Sequence, residues 1–110
     1  MPTKHDASLR HSQFYADILL RADRLYEEGG VGIEYGLNIF DDNWKNIEIG
    51  QKWAARHSNI DELAATLTGE YSERGAHCLY LRQKPIERID WLESALQVVH
   101  SRGFKLVEGT

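Results

Sequence analysis

Histidine and cysteine are the residue types in this chain that could ligate a metal ion or supply a nucleophile and its base. The chain has five histidines and one cysteine: His5, His11, His57, His77, His100 and Cys78. Metal ligands in proteins usually recur at short, regular spacings that bring their side chains together. His5 and His11 would not share a helical face, and the other histidines are isolated. We therefore predict no metal site and no cofactor, and we expect solvated or helix-capping histidines.

Cys78 and paired carboxylates are the remaining candidates for catalysis. The adjacent side chains of His77 and Cys78 would diverge on a helix, so we interpret Cys78 as a small buried apolar residue. The adjacent carboxylate pairs are Asp41 with Asp42 and Glu27 with Glu28. Neighbouring residues on a helix do not face each other. We predict no catalytic residue and no enzymatic activity. An enzyme that uses Cys78 or the histidines is the alternative hypothesis.

Large aromatic residues recur at helical spacing and could either stack on a planar ligand or pack inside the protein. Packing between helices is the commoner use of such residues, because each ring buries a large apolar area. We predict a structural core that contains Trp44, Trp53, Trp91 and Leu92.

Tyrosine and arginine are enriched at the centres of protein interfaces. On that ground we predict a protein-binding surface that includes Tyr35, Tyr80, Arg82 and Arg88. The alternative for Arg88 is an ordinary ion pair with one of its acidic neighbours, Glu87, Asp90 or Glu93.

The elements that must position these residues are mostly helical. Residues 7–28 carry an apolar stripe at three- and four-residue spacing, and Gly29-Gly30 then supplies a helix stop. Residues 31–57 are ambiguous, because their first half alternates like a strand while a longer stripe from Ile33 to Ala54 fits a helix. We favour a helix there, with a kink near Asp41, since a lone strand would lack a stable partner.

Two further helices are predicted in the second half of the chain. Asn59 followed by Glu62 resembles a capping box that would begin the third helix. That helix would continue towards Leu81 and would bend or break near Gly69 or Gly75. Pro85 suits the first turn of the fourth helix, because its missing N–H group would be unpaired there in any case.

These segments predict an all-α fold, an antiparallel array of about four helices joined by short corners. A chain of 110 residues supports one domain, residues 1–110, with flexible tails at 1–6 and 104–110. The net charge of -4 argues against a nucleic-acid partner. No apolar run is long enough for a membrane span. The single cysteine, with no apolar leader, predicts a cytoplasmic protein.

Two blocks of sequence resemble the helical arm of bacterial signal-transducing ATPases of the NB-ARC type, which leads into tetratricopeptide repeats. The first block contains Gly36, Leu37, Phe40, Asp41, Trp44, Asn46, Ile47, Gly50, Gln51, Trp53, Ala54 and Ala55. The second contains Leu81, Arg82, Pro85, Glu87, Arg88, Ile89, Trp91, Leu92, Glu93, Ala95 and Leu96. The resemblance implies tetratricopeptide-like stacking of helices and a role as a sensor or coupling arm in signal transduction.

The chain lacks the glycine-rich phosphate-binding loop of such ATPases, so their ATPase activity is not implied. We interpret it as an isolated arm that binds a protein partner or the adjoining domain of a longer parent. The alternative is a stand-alone homodimeric bundle with a structural or regulatory role. In a helical stack, the last pair normally covers its outer face with the next pair. We therefore expect an uncovered apolar face on the third or fourth helix.

Overall fold

The part of the chain that the structure describes folds into five helices. The computed structural model describes residues 3–102, without the side chain of residue 102, and these residues contain no strand. The helices are α1 (Lys4–Glu28), α2 (Val31–Arg56), α3 (Glu62–Arg74), α4 (Ala76–Arg82) and α5 (Pro85–Arg102). The prediction of an all-α fold is confirmed. No helix among the described residues is both long enough and apolar enough to cross a membrane.

The first helix begins at Lys4, three residues before the predicted start. Thr3 is its N-cap: the Thr3 hydroxyl accepts a hydrogen bond from the backbone N–H of Asp6, and the Asp6 carboxylate accepts one from the backbone N–H of Thr3. This capping box satisfies two backbone donors at the helix terminus. Residues 4–6 therefore belong to α1 and not to a tail, and the predicted tail at 104–110 lies outside the described residues.

The second helix runs unbroken from Val31 to Arg56, so the alternative of a strand at its start is wrong. Gly32 and Gly36 lie on its buried face, one helical turn apart. A Cβ atom on Gly36 would lie 2.5 Å from the backbone oxygen of Ala22 and 2.8 Å from the backbone nitrogen of Tyr26. The end of α1 and the start of α2 therefore approach each other at backbone distance, which only glycine permits.

Three helices meet at the other end of the α1–α2 contact. The Ser12 hydroxyl of α1 donates a hydrogen bond to the backbone oxygen of Gly50 in α2 at 2.9 Å. The Tyr71 hydroxyl of α3 donates to the backbone oxygen of Ser12 at 2.6 Å. A Cβ on Gly50 would overlap the Tyr71 hydroxyl, so this glycine makes room for the tyrosine. Burial raises the pKa of Tyr71 to about 12, so it remains a hydrogen-bond donor at neutral pH.

The third predicted segment is two helices in the structure, which corrects the expected number of about four. Asp61, and not Asn59, is the N-cap of α3, because its carboxylate accepts hydrogen bonds from the backbone N–H groups of Leu63 and Ala64. The helix is interrupted at Gly75, between α3 and α4. A Cβ atom on Gly75 would collide with the buried side chain of Leu19. Gly69 lies within α3 and causes no break.

The fifth helix begins at Pro85, as predicted, and has two apolar faces. One face carries Trp91 and Val98, which are 4% and 3% exposed. The opposite face carries Leu92, which is 52% exposed, so the prediction that Leu92 belongs to the core is wrong. α5 packs mainly on α3, and a helix that packs on one side must leave its other face to solvent.

The three tryptophans all contact the core, to different extents. Trp91 is buried, whereas Trp44 and Trp53 are partly buried and pack against the core cluster. The Trp44 and Trp91 rings stack with centroids 5.8 Å apart, and Tyr71 meets Trp91 edge-on at 5.8 Å. This aromatic cluster therefore joins α2, α3 and α5.

Candidate protein-binding surface

The outer face of α5 exposes four large aliphatic side chains along one side of a single helix. Its members, which we call the α5 stripe, are Ile86, Ile89, Leu92 and Leu96, with exposed fractions of 71%, 52%, 52% and 62%. They recur at three- and four-residue spacing and therefore line one side of the helix. Contiguous exposed apolar surface of this kind marks interaction sites in soluble proteins.

Acidic side chains border the α5 stripe. A groove of about 330 Å³ between α2 and α5 contains Ile86 and Ile89 of the stripe and is flanked by five charged residues. These are Glu48, Lys52, Glu87, Asp90 and Glu93. Four of the five are acidic, and no ion pair of Asp90 or Glu93 occurs within residues 3–102. The groove therefore combines an apolar floor with a negative border.

A second, smaller cavity adjoins the stripe on its other side. This cavity, the α4–α5 pocket, has a volume of about 160 Å³ and is lined by residues of α3, α4 and α5 and of the corner between α4 and α5. Its lining consists of Ser72, Ala76, Leu79, Tyr80, Gln83, Arg88, Trp91 and Leu92. Leu92 belongs to both the pocket and the α5 stripe, so the two form one continuous surface.

The four predicted interface residues have different positions. Tyr80 and Arg88 come together at the α4–α5 pocket, where the Arg88 guanidinium lies 4.7 Å above the Tyr80 ring and donates a hydrogen bond to the Tyr80 backbone oxygen at 2.9 Å. Arg88 therefore does not form the alternative ion pair with its acidic neighbours. Arg82 instead binds the Asp41 carboxylate at 3.0 Å and 3.3 Å, which joins α4 to α2. Tyr35 is 61% exposed on α2 and does not line the pocket.

One histidine lies in a charged cluster that sequence spacing could not reveal. The Nδ1 atom of His77 lies 2.9 Å from a carboxylate oxygen of Asp23 and 4.0 Å from one of Glu27. The other Asp23 oxygen accepts a hydrogen bond from the backbone N–H of Cys78 at 2.9 Å. Asp23, a buried residue of α1, therefore caps the first turn of α4 through this hydrogen bond. These three side chains could offer ligand atoms to a cation, but both Asp23 oxygens already accept hydrogen bonds from α4.

The His77–Asp23 contact predicts a pH-dependent stability. The hydrogen bond and the charge of Asp23 raise the pKa of His77 above 6.5. The proton on His77 therefore stabilises the fold below about pH 6.5, and this contribution is lost as the pH rises through the higher pKa of the folded state. We expect the thermal unfolding midpoint to fall between about pH 6 and about pH 8.

The variant His77→Ala should show a smaller fall in melting temperature over the same pH interval. His100→Ala, which removes an exposed histidine of α5, should keep the parental pH dependence. Circular dichroism melts of the three proteins at the two pH values make the comparison. Equal pH dependence in all three would contradict a stabilising role for the His77 proton.

Cys78 is fully buried, as predicted. Burial raises the pKa of its thiol to about 12, with a further contribution from the nearby Asp23 carboxylate. Because the thiolate and not the thiol is the nucleophile, we expect the buried Cys78 thiol to react slowly at neutral pH.

The other histidines occupy capping and ring-stacking positions. His5 lies 2.6 Å from the Asp61 carboxylate, and that hydrogen bond lowers the pKa of Asp61. His57 donates from Nδ1 to the backbone oxygen of Trp53 at 2.8 Å, at the C-terminus of α2, and its ring stacks on that of Trp53. His57 therefore lies at a helix C-terminus, as expected from the sequence, whereas His5 contacts the N-cap residue of α3.

Comparisons with family models, with curated proteins and with solved structures give no match to this chain.

Proposed function

We propose that this chain is a non-enzymatic protein-interaction module that binds its partner through the α5 stripe. The observation that carries the proposal is the second apolar face of α5, where four large aliphatic side chains are each more than half exposed. Fully burying an exposed side chain of this kind contributes about 1.5–3 kcal/mol. Each of these four is already partly buried, so each would contribute part of that amount to binding, before the cost of association is subtracted.

We further propose that the helices form an antiparallel, tetratricopeptide-like array, and the contacts between α1 and α2 support the antiparallel direction of that pair. Gly36 near the start of α2 lies against Ala22 near the end of α1, and Gly50 near the end of α2 lies against Ser12 near the start of α1. In such an array each helix pair buries its outer face against the neighbouring pair. The resemblance to arms of signalling ATPases makes an adjoining domain one natural occupant, and a coupling role would follow from that attachment.

The charges beside the α5 stripe favour a positively charged partner. Four acidic residues border the groove beside the α5 stripe, and the whole chain carries a net charge of -4. A second copy of this chain would bring the same negative border against its own. The partner that fits best is an amphipathic helix whose apolar face is flanked by lysine or arginine, because helix-in-groove binding pairs apolar faces and complementary charges.

A designed peptide tests this proposal. The probe is an amphipathic helix of about five turns with leucine on one face and lysine on the flanks, and the control peptide carries glutamate in place of each lysine. We expect the lysine peptide to bind at least about tenfold more tightly than the glutamate peptide in calorimetric titration, and added salt should reduce the difference.

Two variants of the protein locate the binding surface. The double variant Leu92→Ser with Leu96→Ser should weaken binding of the lysine peptide at least about tenfold, because it removes two apolar anchors from the stripe. Leu63→Ser on α3, which removes a side chain with a similar exposed fraction of 54%, should leave the affinity unchanged. Equal effects of the two variants would contradict binding at α5. A dimer in light scattering that the double variant abolishes would instead identify a second copy as the occupant.

A further inference from the structure

Asp23 is the one charged residue that is buried among the described residues, with 5% of its surface exposed. Within residues 3–102 no lysine or arginine pairs with its carboxylate, and its charge partner is His77, whose side chain is half exposed. A histidine loses its charge within the physiological pH range, so Asp23 lacks a permanent counter-charge. Buried charges in proteins are normally paired or coordinate a metal ion. This carboxylate is therefore a candidate ligand for a cation.

Ligand atoms from two helices meet at Asp23. Asp23 and Glu27 are one helical turn apart on α1 and lie on the same side of it. His77, in the first turn of α4, places its Nδ1 atom 2.9 Å from Asp23 Oδ2 and 4.0 Å from Glu27 Oε2. One ligand atom of each residue lies within 4.8 Å of the other two. In a tetrahedral zinc site, bonds of about 2.0–2.2 Å place the ligand atoms about 3.3–3.6 Å apart, so movements of about 1 Å would let these three atoms share one ion.

Neighbouring contacts orient two of the three ligands. The second oxygen of Asp23, Oδ1, accepts a hydrogen bond from the backbone N–H of Cys78 at 2.9 Å, which directs Oδ2 towards His77. The His77 ring stacks on the ring of Tyr26, with centroids 5.9 Å apart. Supporting contacts of this kind fix the ligands of natural metal sites. The side chains of Glu27 and His77 are 55% and 50% exposed, so an ion can enter from solvent and water can complete its coordination.

The set of ligand atoms determines the kind of ion. One imidazole nitrogen and two carboxylate oxygens suit Zn²⁺, whereas Ca²⁺ and Mg²⁺ prefer coordination by oxygen alone. A histidine nitrogen must be deprotonated to bind a metal ion. The ion would therefore replace the proton that now lies between His77 Nδ1 and Asp23 Oδ2, and that proton would go to solvent.

We propose that Asp23, Glu27 and His77 form a Zn²⁺ site that joins α1 to α4. The ion binds Asp23 Oδ2, one carboxylate oxygen of Glu27 and His77 Nδ1, and water occupies the remaining position. The site shares no residue with the α5 stripe, so it does not depend on the proposed function. Its effect is structural, because α4 has only seven residues and the ion adds a second link between this helix and α1.

Calorimetric titration of zinc chloride into the full chain, after a chelator has removed bound metals, tests the proposal. We expect saturable binding of about one ion per chain, and excess Zn²⁺ should raise the melting temperature by several degrees. The Hε1 NMR signal of His77, assigned with the variant His77→Ala, should shift as the ion is added. A large excess of Mg²⁺ should not displace Zn²⁺, because the site offers an imidazole nitrogen and only two carboxylates.

Two variants test the assigned ligands. Glu27→Gln and His77→Ala should each weaken Zn²⁺ binding at least about tenfold, because each removes one ligand of the ion. Glu28→Gln is the matched control for the first variant, since it removes a negative charge at the next position, outside the cluster. His100→Ala is the control for the second, since it removes an exposed histidine of α5. Both controls should keep the parental affinity.

Three results would overturn the proposal. They are the absence of saturable Zn²⁺ binding, an affinity that neither ligand variant changes, and displacement of Zn²⁺ by Mg²⁺. The second result would place the ion at other histidines, and the third would reduce the site to a patch of negative charge. Equal losses of affinity in the ligand variants and their controls would also contradict it. Peptide binding at the α5 stripe is measured separately and is independent of all these outcomes.

Discussion

Replacing Gly36 with alanine is expected to lower the free energy of unfolding by about 1–3 kcal/mol, the usual range for overpacking. In an isolated helix the same change would be stabilising by about 1 kcal/mol, because alanine is the better helix former. The new methyl group would lie 2.5 Å from the backbone oxygen of Ala22, and backbone atoms of α1 cannot move aside without separating the two helices. Urea denaturation of the parent and the variant measures the difference.

Gly69→Ala is the matched control for this prediction. Gly69 also lies inside a helix, but a Cβ there would meet no atom within 4 Å. We expect this variant to gain about 0.5–1 kcal/mol in unfolding free energy, because only the helix preference changes. A gain of stability in both glycine variants would contradict the contact between the backbones of α1 and α2 at Gly36.

Trp91→Ala is expected to cost about 3–5 kcal/mol of unfolding free energy, in the range measured for buried aromatic residues in other proteins. The indole is 4% exposed and contacts rings from α2 and α3. Its loss would leave a cavity where three helices meet. For a domain of this size, such a change would lower the melting temperature by well over about 10 °C.

The neighbouring residue supplies the control. Leu92→Ala changes a side chain on the same turn of α5 that is 52% exposed. We expect a change within about 1 kcal/mol, because the removed atoms are already largely in contact with water. Comparable losses in the two variants would mean that both faces of α5 are covered in solution, which gel filtration at several protein concentrations would reveal.

The second helix shows how a pattern can suggest the wrong element. In residues 31–36 the apolar residues alternate with Gly32, Glu34 and Gly36, which is typical of a strand. In the structure Val31, Ile33 and Tyr35 are exposed, while Gly32 and Gly36 are buried. Reading a hydrophobic pattern relies on large apolar residues lying on the buried face of an element. Where two helices touch at backbone distance, the smallest residues lie on the buried face instead. The longer apolar stripe through Ile47 and Ala54 predicted the helix correctly.

The two faces of α5 show where sequence reasoning lacks information. Its start at Pro85 was predictable, because proline fits the first helical turn. Trp91 and Leu92 are adjacent, however, and both belong to apolar stripes of the helix. Which stripe is buried depends on the position of α3, and no local pattern encodes that position.

The candidate site was predictable only in part. Tyr80 and Arg88 were expected at a binding surface, and both line the α4–α5 pocket. Ser72 and Gln83 also line this pocket but carry no local signal, because the residues that meet around a cavity are known only from the fold. The His77–Asp23 contact joins residues 54 positions apart, so the spacing rules used for histidine could not detect it.

The cap that Asp23 provides has a consequence for how this chain folds. α4 has seven residues, too few for a helix to persist alone in water. Its first turn is held by a carboxylate that lies 55 positions earlier in the chain. α4 should therefore be late to form and should depend on prior docking of α1. If α1 separated from the other helices, α4 would lose this cap and unfold, and the α4–α5 pocket, which Leu79 of α4 lines, would be lost with it. An intact pocket therefore requires that α1 is docked.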